Sequence, residues 1–176
     1  MSDEKKLRLA GRVRESIVDG PGLRYAVFTQ GCPHKCADCH NPHTWPIEGG
    51  EEVPVSALLS EIRRDKLLQG VTLTGGEPFL QADSLSALAQ SVQADRLNVW
   101  IYTGYTWETL TGAGNPDWMS LLDHADVLVD GRFDRTQKSY DLLFRGSANQ
   151  RLIDVKKSLK TGNVILWEAQ HIPCQS

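Results

Sequence analysis

Apolar positions along the chain alternate between two periods, of two and of about 3.6 residues, which mark strands and helices. Near the start, Leu7, Leu9 and Val13 are interleaved with Arg8, Arg12 and Arg14. That period of two predicts a strand with one solvated, basic face, read as a sheet edge. Asp19-Gly20-Pro21-Gly22 is a turn signal, and a β-rich apolar run at 25–29 follows it. Val55, Leu58, Leu59 and Ile62 fall at i, i+3, i+4 and i+7, an amphipathic helix with Pro54 near its first turn. A short buried-type strand at 71–74 breaks at Gly75-Gly76-Glu77-Pro78. Leu85, Leu88, Ala89 and Val92 predict a second helix, with Asp83 or Ser84 as its cap. A strand at 98–102 stops at Thr103-Gly104, and helical pieces at 106–110 and 117–122 lead to a strand at 126–129. That strand ends at Asp130-Gly131, residues 145–150 read as loop, and 163–167 read as a last strand.

From Val71 onward the strands recur roughly every 27 residues with helices between, the rhythm of β-α units in a parallel sheet. They are too few to close a barrel. The expected fold is therefore α/β, a partial (β/α) barrel with parallel strands and helices outside. A chain of 176 residues is one domain's worth, read here as a single domain over 1–176 with its core at about 8–155.

Composition narrows the function classes. Hydrophobic residues make up 40% and charged residues 23%, and the net charge is −3, which lacks the basic footprint of a nucleic-acid binder. No apolar run reaches membrane-spanning length, and no apolar stretch follows the mixed charges at the N-terminus. With its cysteines reduced, the chain is expected in the cytoplasm.

Three of the four cysteines change the picture. Cys32, Cys36 and Cys39 lie in Gly31-Cys32-Pro33-His34-Lys35-Cys36-Ala37-Asp38-Cys39-His40-Asn41, just past the end of a predicted strand, where α/β folds place chemistry. Thiols this close in a reducing compartment point to a metal rather than a disulfide. On spacing alone the choice stays open between zinc, completed by His34, His40 or His43, and an iron–sulfur cluster. Gly75-Gly76-Glu77-Pro78 ends the next strand, on the same rim if the sheet is parallel. By itself it is a turn with an acid at a helix entry. Beside the cysteine loop it suggests a close backbone approach to a bound small molecule, with Glu77 able to accept from an ammonium. That combination favours a cluster with an open position over a closed structural metal.

In these two motifs the chain resembles the radical S-adenosylmethionine (SAM) enzymes. Within them it is similar to the activating proteins of anaerobic (class III) ribonucleoside-triphosphate reductases. The stretches that carry the resemblance are Ile17 to Gly22, the cysteine loop with Asn41 and Trp45, Leu73 to Pro78, Trp100 to Tyr105, Val127 to Phe133, and Phe144 to Gln150. The resemblance implies a barrel of the radical SAM type and a [4Fe–4S] cluster on Cys32, Cys36 and Cys39, with SAM on the remaining iron. It places Asp38, Cys39 and His40 against SAM, and Gly75, Gly76 and Glu77 at its amino group. Thr103, Asp130 and Arg132 join them as further contacts, with Arg145 as a possible carboxylate partner. The implied activity is reductive cleavage of SAM and hydrogen abstraction from a glycine of the reductase, with flavodoxin or ferredoxin as electron donor. Asp38 stands where the superfamily has an aromatic residue, so either His40 takes over the stacking or the adenine is held another way. Trp45, Trp100 and Tyr102 read as packing, and Cys174 as an incidental tail thiol.

Overall fold

The computed structural model describes residues 4–169, so the reading of Cys174 lies outside the described residues. Strand β1 (Lys6–Ser16) turns back into β2 (Arg24–Thr29), and β3 (Glu51–Pro54) leads into helix α1 (Val55–Arg64). Then come β4 (Gly70–Gly75), α2 (Ala82–Ala94), β5 (Asn98–Tyr102), α3 (Trp107–Gly112), α4 (Pro116–Asp123) and β6 (Val127–Asp130). Strand β7 (Arg151–Asp154) and helix α5 (Val155–Thr161) end the series.

The strands form one seven-stranded sheet in the order β3-β1-β2-β4-β5-β6-β7. Strands β2, β4, β5 and β6 are parallel neighbours, whereas β1, β3 and β7 join antiparallel. The expected parallel strands are thus found in β2, β4, β5 and β6, and antiparallel flanks make the sheet a mixed one. A turn too short for a crossover joins β1 to β2, and between β6 and β7 only a three-residue 3-10 turn, Arg135–Gln137, stands where a crossover helix would be needed.

Alternation sorts the side chains to two faces. Tyr25, Val27, Leu73, Val99, Ile101 and Leu128 share one core with apolar side chains from all five helices, including Leu58, Leu85, Leu110, Leu121 and Val155. Each such fully buried aliphatic side chain is worth roughly 1.5–3 kcal/mol. The opposite face carries a smaller cluster of Trp100, Val127, Val129 and Leu152. It also buries Arg24, whose guanidinium donates to Thr72 Oγ1 (2.7 Å), Val71 O (2.9 Å) and Pro21 O (3.2 Å) and lies 5.5 Å from the Trp100 ring.

Four further expectations are revised. Strand β1 is an edge only in its later part, because β3 covers residues 6–9 and matches cations of the strand, Lys6 to Glu52 and Arg12 to Glu51, both at 2.9 Å. Leu7 and Leu9 are buried but Val13 is 44% exposed, since a register shift between Leu9 and Gly11 moves it to the other face. Helix α2 is capped at Gln81 without a side-chain bond, because a 3-10 turn over Pro78–Gln81 runs straight into it. Asp83 pairs instead with Lys5 at 2.5 Å. Residues 163–167 form only an isolated bridge, Ile153 to Leu166.

What the fold does for function is to line up strand ends. Thr29 and Gly75 are register partners at the carboxyl ends of β2 and β4. Strands β5 and β6 deliver Thr103 and Gly131 to the same rim. The sheet edges β3 and β7 are not paired to each other.

Candidate active site

The cysteine loop grows out of the sheet. Gly31 N donates to Thr44 O (2.7 Å) and Cys32 N to Trp45 O (3.1 Å), so both ends of the loop are tied together. Between them the chain turns tightly, with Lys35 at φ 48° and Asp38 at φ 58°. Cys32, Cys36 and Cys39 are free, half-buried thiols. All three line one cavity of about 240 Å³, together with Gly75, Gly76, Thr103 and Arg132. Burial pushes the Cys32 and Cys36 thiols up from their ordinary pKa. Their thiolates therefore need a cation, which metal ligation supplies.

The donor set suits an iron–sulfur cluster better than zinc. The three thiols share one cavity and one short loop, with no second cysteine clip among the described residues, which fits a cluster with an open position better than a closed zinc site. Of the histidines that could complete a zinc site, His34 Nε2 is held 2.6 Å from Glu77, whereas His40 stays in the cavity with its ring against Phe133 at 5.3 Å. The indole N–H of Trp45, whose residue lines the same cavity, is buried with no acceptor. It is a donor left over for a bound group.

Gly75 and Gly76 border the cavity, but protein packing alone already requires them. Gly75 has φ +92°, and a Cβ there would lie 2.6 Å from Phe28 Cα. A Cβ on Gly76 would lie 2.3 Å from Gly31 O. The amides of Gly76 and Glu77 donate to Thr29 O and Gly31 O, both at 2.8 Å. The β2–β4 ladder thus continues past its strands into the cysteine loop.

Glu77 is fully buried and does not line the cavity. Its carboxylate accepts from Phe79 N (3.0 Å), Thr103 Oγ1 (2.9 Å), Gly104 N (2.9 Å) and His34 Nε2 (2.6 Å). Asp130 also turns inward. Its oxygens accept from Trp107 N (2.8 Å) and from Arg151 Nε (3.0 Å) and Nη2 (2.5 Å). Those bonds, with Glu108, push the Arg151 guanidinium up from its ordinary pKa.

Of the residues predicted to meet SAM, the cavity brings together Cys39, His40, Gly75, Gly76, Thr103 and Arg132. Asp38 stands outside it, exposed, 3.7 Å from Arg135. Its left-handed backbone suits an aspartate better than a bulky ring. Arg145 donates to Gln150 O (2.7 Å) instead of reaching the cavity. Sequence reasoning missed Asp19, Tyr102, Phe133 and Gln150 as cavity residues. All four sit in stretches already quoted for the resemblance, which was the available signal.

A family model described as "4Fe-4S single cluster domain" matches residues 18–153. The anaerobic ribonucleoside-triphosphate reductase-activating protein of Salmonella typhimurium is 35% identical, over 76% of this chain and 90% of its own length. The protein of that name from Vibrio cholerae is 37% identical, over 76% of this chain and 89% of its own. A solved structure, QueE from Escherichia coli, is similar over 57% of this chain and 54% of its own, at 23% identity and a TM-score of 0.46. The chain belongs to the family of anaerobic ribonucleoside-triphosphate reductase-activating proteins and carries the 4Fe-4S single cluster domain.

Proposed function

We propose that the chain is a radical SAM activase for an anaerobic ribonucleoside-triphosphate reductase, acting as a single domain in the cytoplasm. The observation that carries this reading is the meeting of three free thiols and the Gly75-Gly76 turn on one cavity at the ends of parallel strands. Cys32, Cys36 and Cys39 would hold a [4Fe–4S] cluster by three irons, leaving one for SAM. When bound, the cluster and SAM supply one-electron cleavage of the sulfonium and abstraction of a hydrogen atom from a glycine of the reductase. The protein's share is to bind, orient and exclude water. Gly75 and Gly76 border the space for the methionyl end, and the His40–Phe133 ring pair offers faces for the adenine. Arg132 brings a cation to the same cavity, a partner for a carboxylate. The parallel quartet β2-β4-β5-β6 is read as the barrel portion of the radical SAM fold. Flavodoxin or ferredoxin is the expected electron donor, and neither nucleic acid nor membrane is a partner. Among the described residues no helix is long and apolar enough to cross a membrane.

The test is anaerobic. Reconstituted protein, reductant, SAM and the reductase are mixed, and the glycyl radical is sought by electron paramagnetic resonance. The expected result is a radical that appears only when all are present, and that is lost with Cys36→Ser. SAM cleavage without a radical on the reductase would move the substrate to another glycyl-radical enzyme or a small molecule. A colourless protein holding zinc and no sulfide would overturn the reading.

A further inference from the structure

Glu77 sits in the motif expected to hold a ligand's amino group, yet its carboxylate faces the protein. Its two oxygens already accept from Phe79 N, Thr103 Oγ1, Gly104 N and His34 Nε2. A carboxylate facing four donors acts purely as an acceptor, so His34 carries its proton on Nε2. A bound ammonium could reach this carboxylate only by displacing a donor that would then be buried without a partner.

His34 is the arm that reaches it. The residue lies midway between Cys32 and Cys36, and its side chain is only 4% exposed. The imidazole stands edge-on to Tyr105 at 4.6 Å between centroids. It also occupies the space over Gly104, where a Cβ would come within 2.3 Å of its Cδ2. Lys35, the next residue, has the left-handed φ of 48°, a conformation that surrounding contacts must maintain.

We propose that Glu77 is a clamp on the cysteine loop, fastening His34 to the ends of β4 and β5 and so fixing the arc between Cys32 and Cys36, with His34 as the positioning residue. This rests on the cluster reading proposed above. Three separate segments meet on one carboxylate: the loop after β2 through His34, the turn after β4 through Phe79 N, and the end of β5 through Thr103 and Gly104. Gly104 completes the clamp by leaving room for the imidazole. The glutamate serves the cluster by holding its loop rather than by touching a ligand.

The test follows the rate at which reconstituted holoprotein, without SAM, loses iron to a ferrous chelator under anaerobic conditions. His34→Leu keeps bulk but removes the donor, and is expected to speed iron loss at least about tenfold, the scale of one charge-assisted hydrogen bond. His34→Gln restores an N–H of similar reach and is expected to return the rate to within about threefold of wild type. Glu77→Gln keeps one accepting oxygen but turns an NH2 toward the donors of the other, and is expected to match His34→Leu, with the double variant no faster than either single one. Thr103→Val, a gentler change that removes one donor in place, is expected to give a smaller increase. Wild-type rates in His34→Leu and Thr103→Val, equal leakage in His34→Gln and His34→Leu, or multiplying effects in the double variant would each overturn the clamp. A wild-type chain that takes up no iron would overturn the clamp and the proposed function together. Wild-type holoprotein with unaltered His34→Leu kinetics would overturn the clamp alone.

Discussion

A methyl group on residue 76 would sit 2.3 Å from the Gly31 carbonyl oxygen, which belongs to the backbone and cannot swing aside. Gly76→Ala is therefore expected to cost about 1–3 kcal/mol of stability in urea unfolding, in the range of forced overpacking. Gly112→Ala is the control. It closes a helix, meets nothing within 4 Å, and is expected to be neutral or to stabilise by up to about 1 kcal/mol. At this scale the sequence was informative about identity and less so about direction. The cysteine spacing and the Gly-Gly-Glu-Pro turn both lead to one rim of the sheet and one cavity. That Glu77 faces inward depends on His34, Thr103 and Gly104, which are distant in sequence and meet only in the fold. Asp130 escapes for a similar reason, since Arg151, its partner, is 21 residues away.

At the scale of elements, period and punctuation locate most of the secondary structure. Helix α1 and strands β2, β4, β5 and β6 fall where their apolar repeats put them. Strand β3 was invisible because Glu51-Glu52-Val53-Pro54 has one apolar residue to bury and cations of β1 to satisfy. Strand β7 follows a long connection without helical pattern, so no β-α rhythm announces it. It is nevertheless anchored to β6 by an ion pair whose acidic member is 1% exposed. Arg151→Met is expected to strand the Asp130 carboxylate without its cation and to cost about 2–3 kcal/mol. Chemical denaturation checks this, and Asp130→Asn in the same background should recover part of the loss if the stranded charge is the cause.

For the whole molecule, the parallel direction read for the central strands holds, and what the sequence reading left out is the antiparallel flanks. Local patterns report which residues are buried, not whether a neighbouring strand runs parallel, so the antiparallel flanks appear only in the assembled sheet. The assembled sheet also sets an alkaline limit. Burial, aided by the hydrogen bond to Glu61, pushes the Tyr25 phenol up from its ordinary pKa, and burial does the same to Tyr102. In the unfolded chain both phenols ionise near pH 10, about the model-peptide value. The stability they contribute is complete below that pH and is lost as pH rises toward their folded values. Arg24 opposes them. Burial lowers its pKa to about 10, so above that pH the folded chain releases a proton that the unfolded chain keeps, which adds stability. Two phenols against one guanidinium leave a net fall. Stability measured by circular dichroism should drop between pH 10 and 11, and Tyr25→Phe should flatten the slope by about 1 kcal/mol per pH unit.

The continuation of the β2–β4 ladder through Gly76 N and Glu77 N into Thr29 O and Gly31 O bears on the order of events in the life of the protein. Small metal domains assembled by their ions have no structure to return to once the ion is gone. Here the first cysteine follows directly on a backbone already committed to the sheet, whose core does not involve the thiols. If the three thiols hold the proposed cluster, folding is expected to precede loading, and a chain stripped of its iron is expected to keep its sheet and to accept a refill.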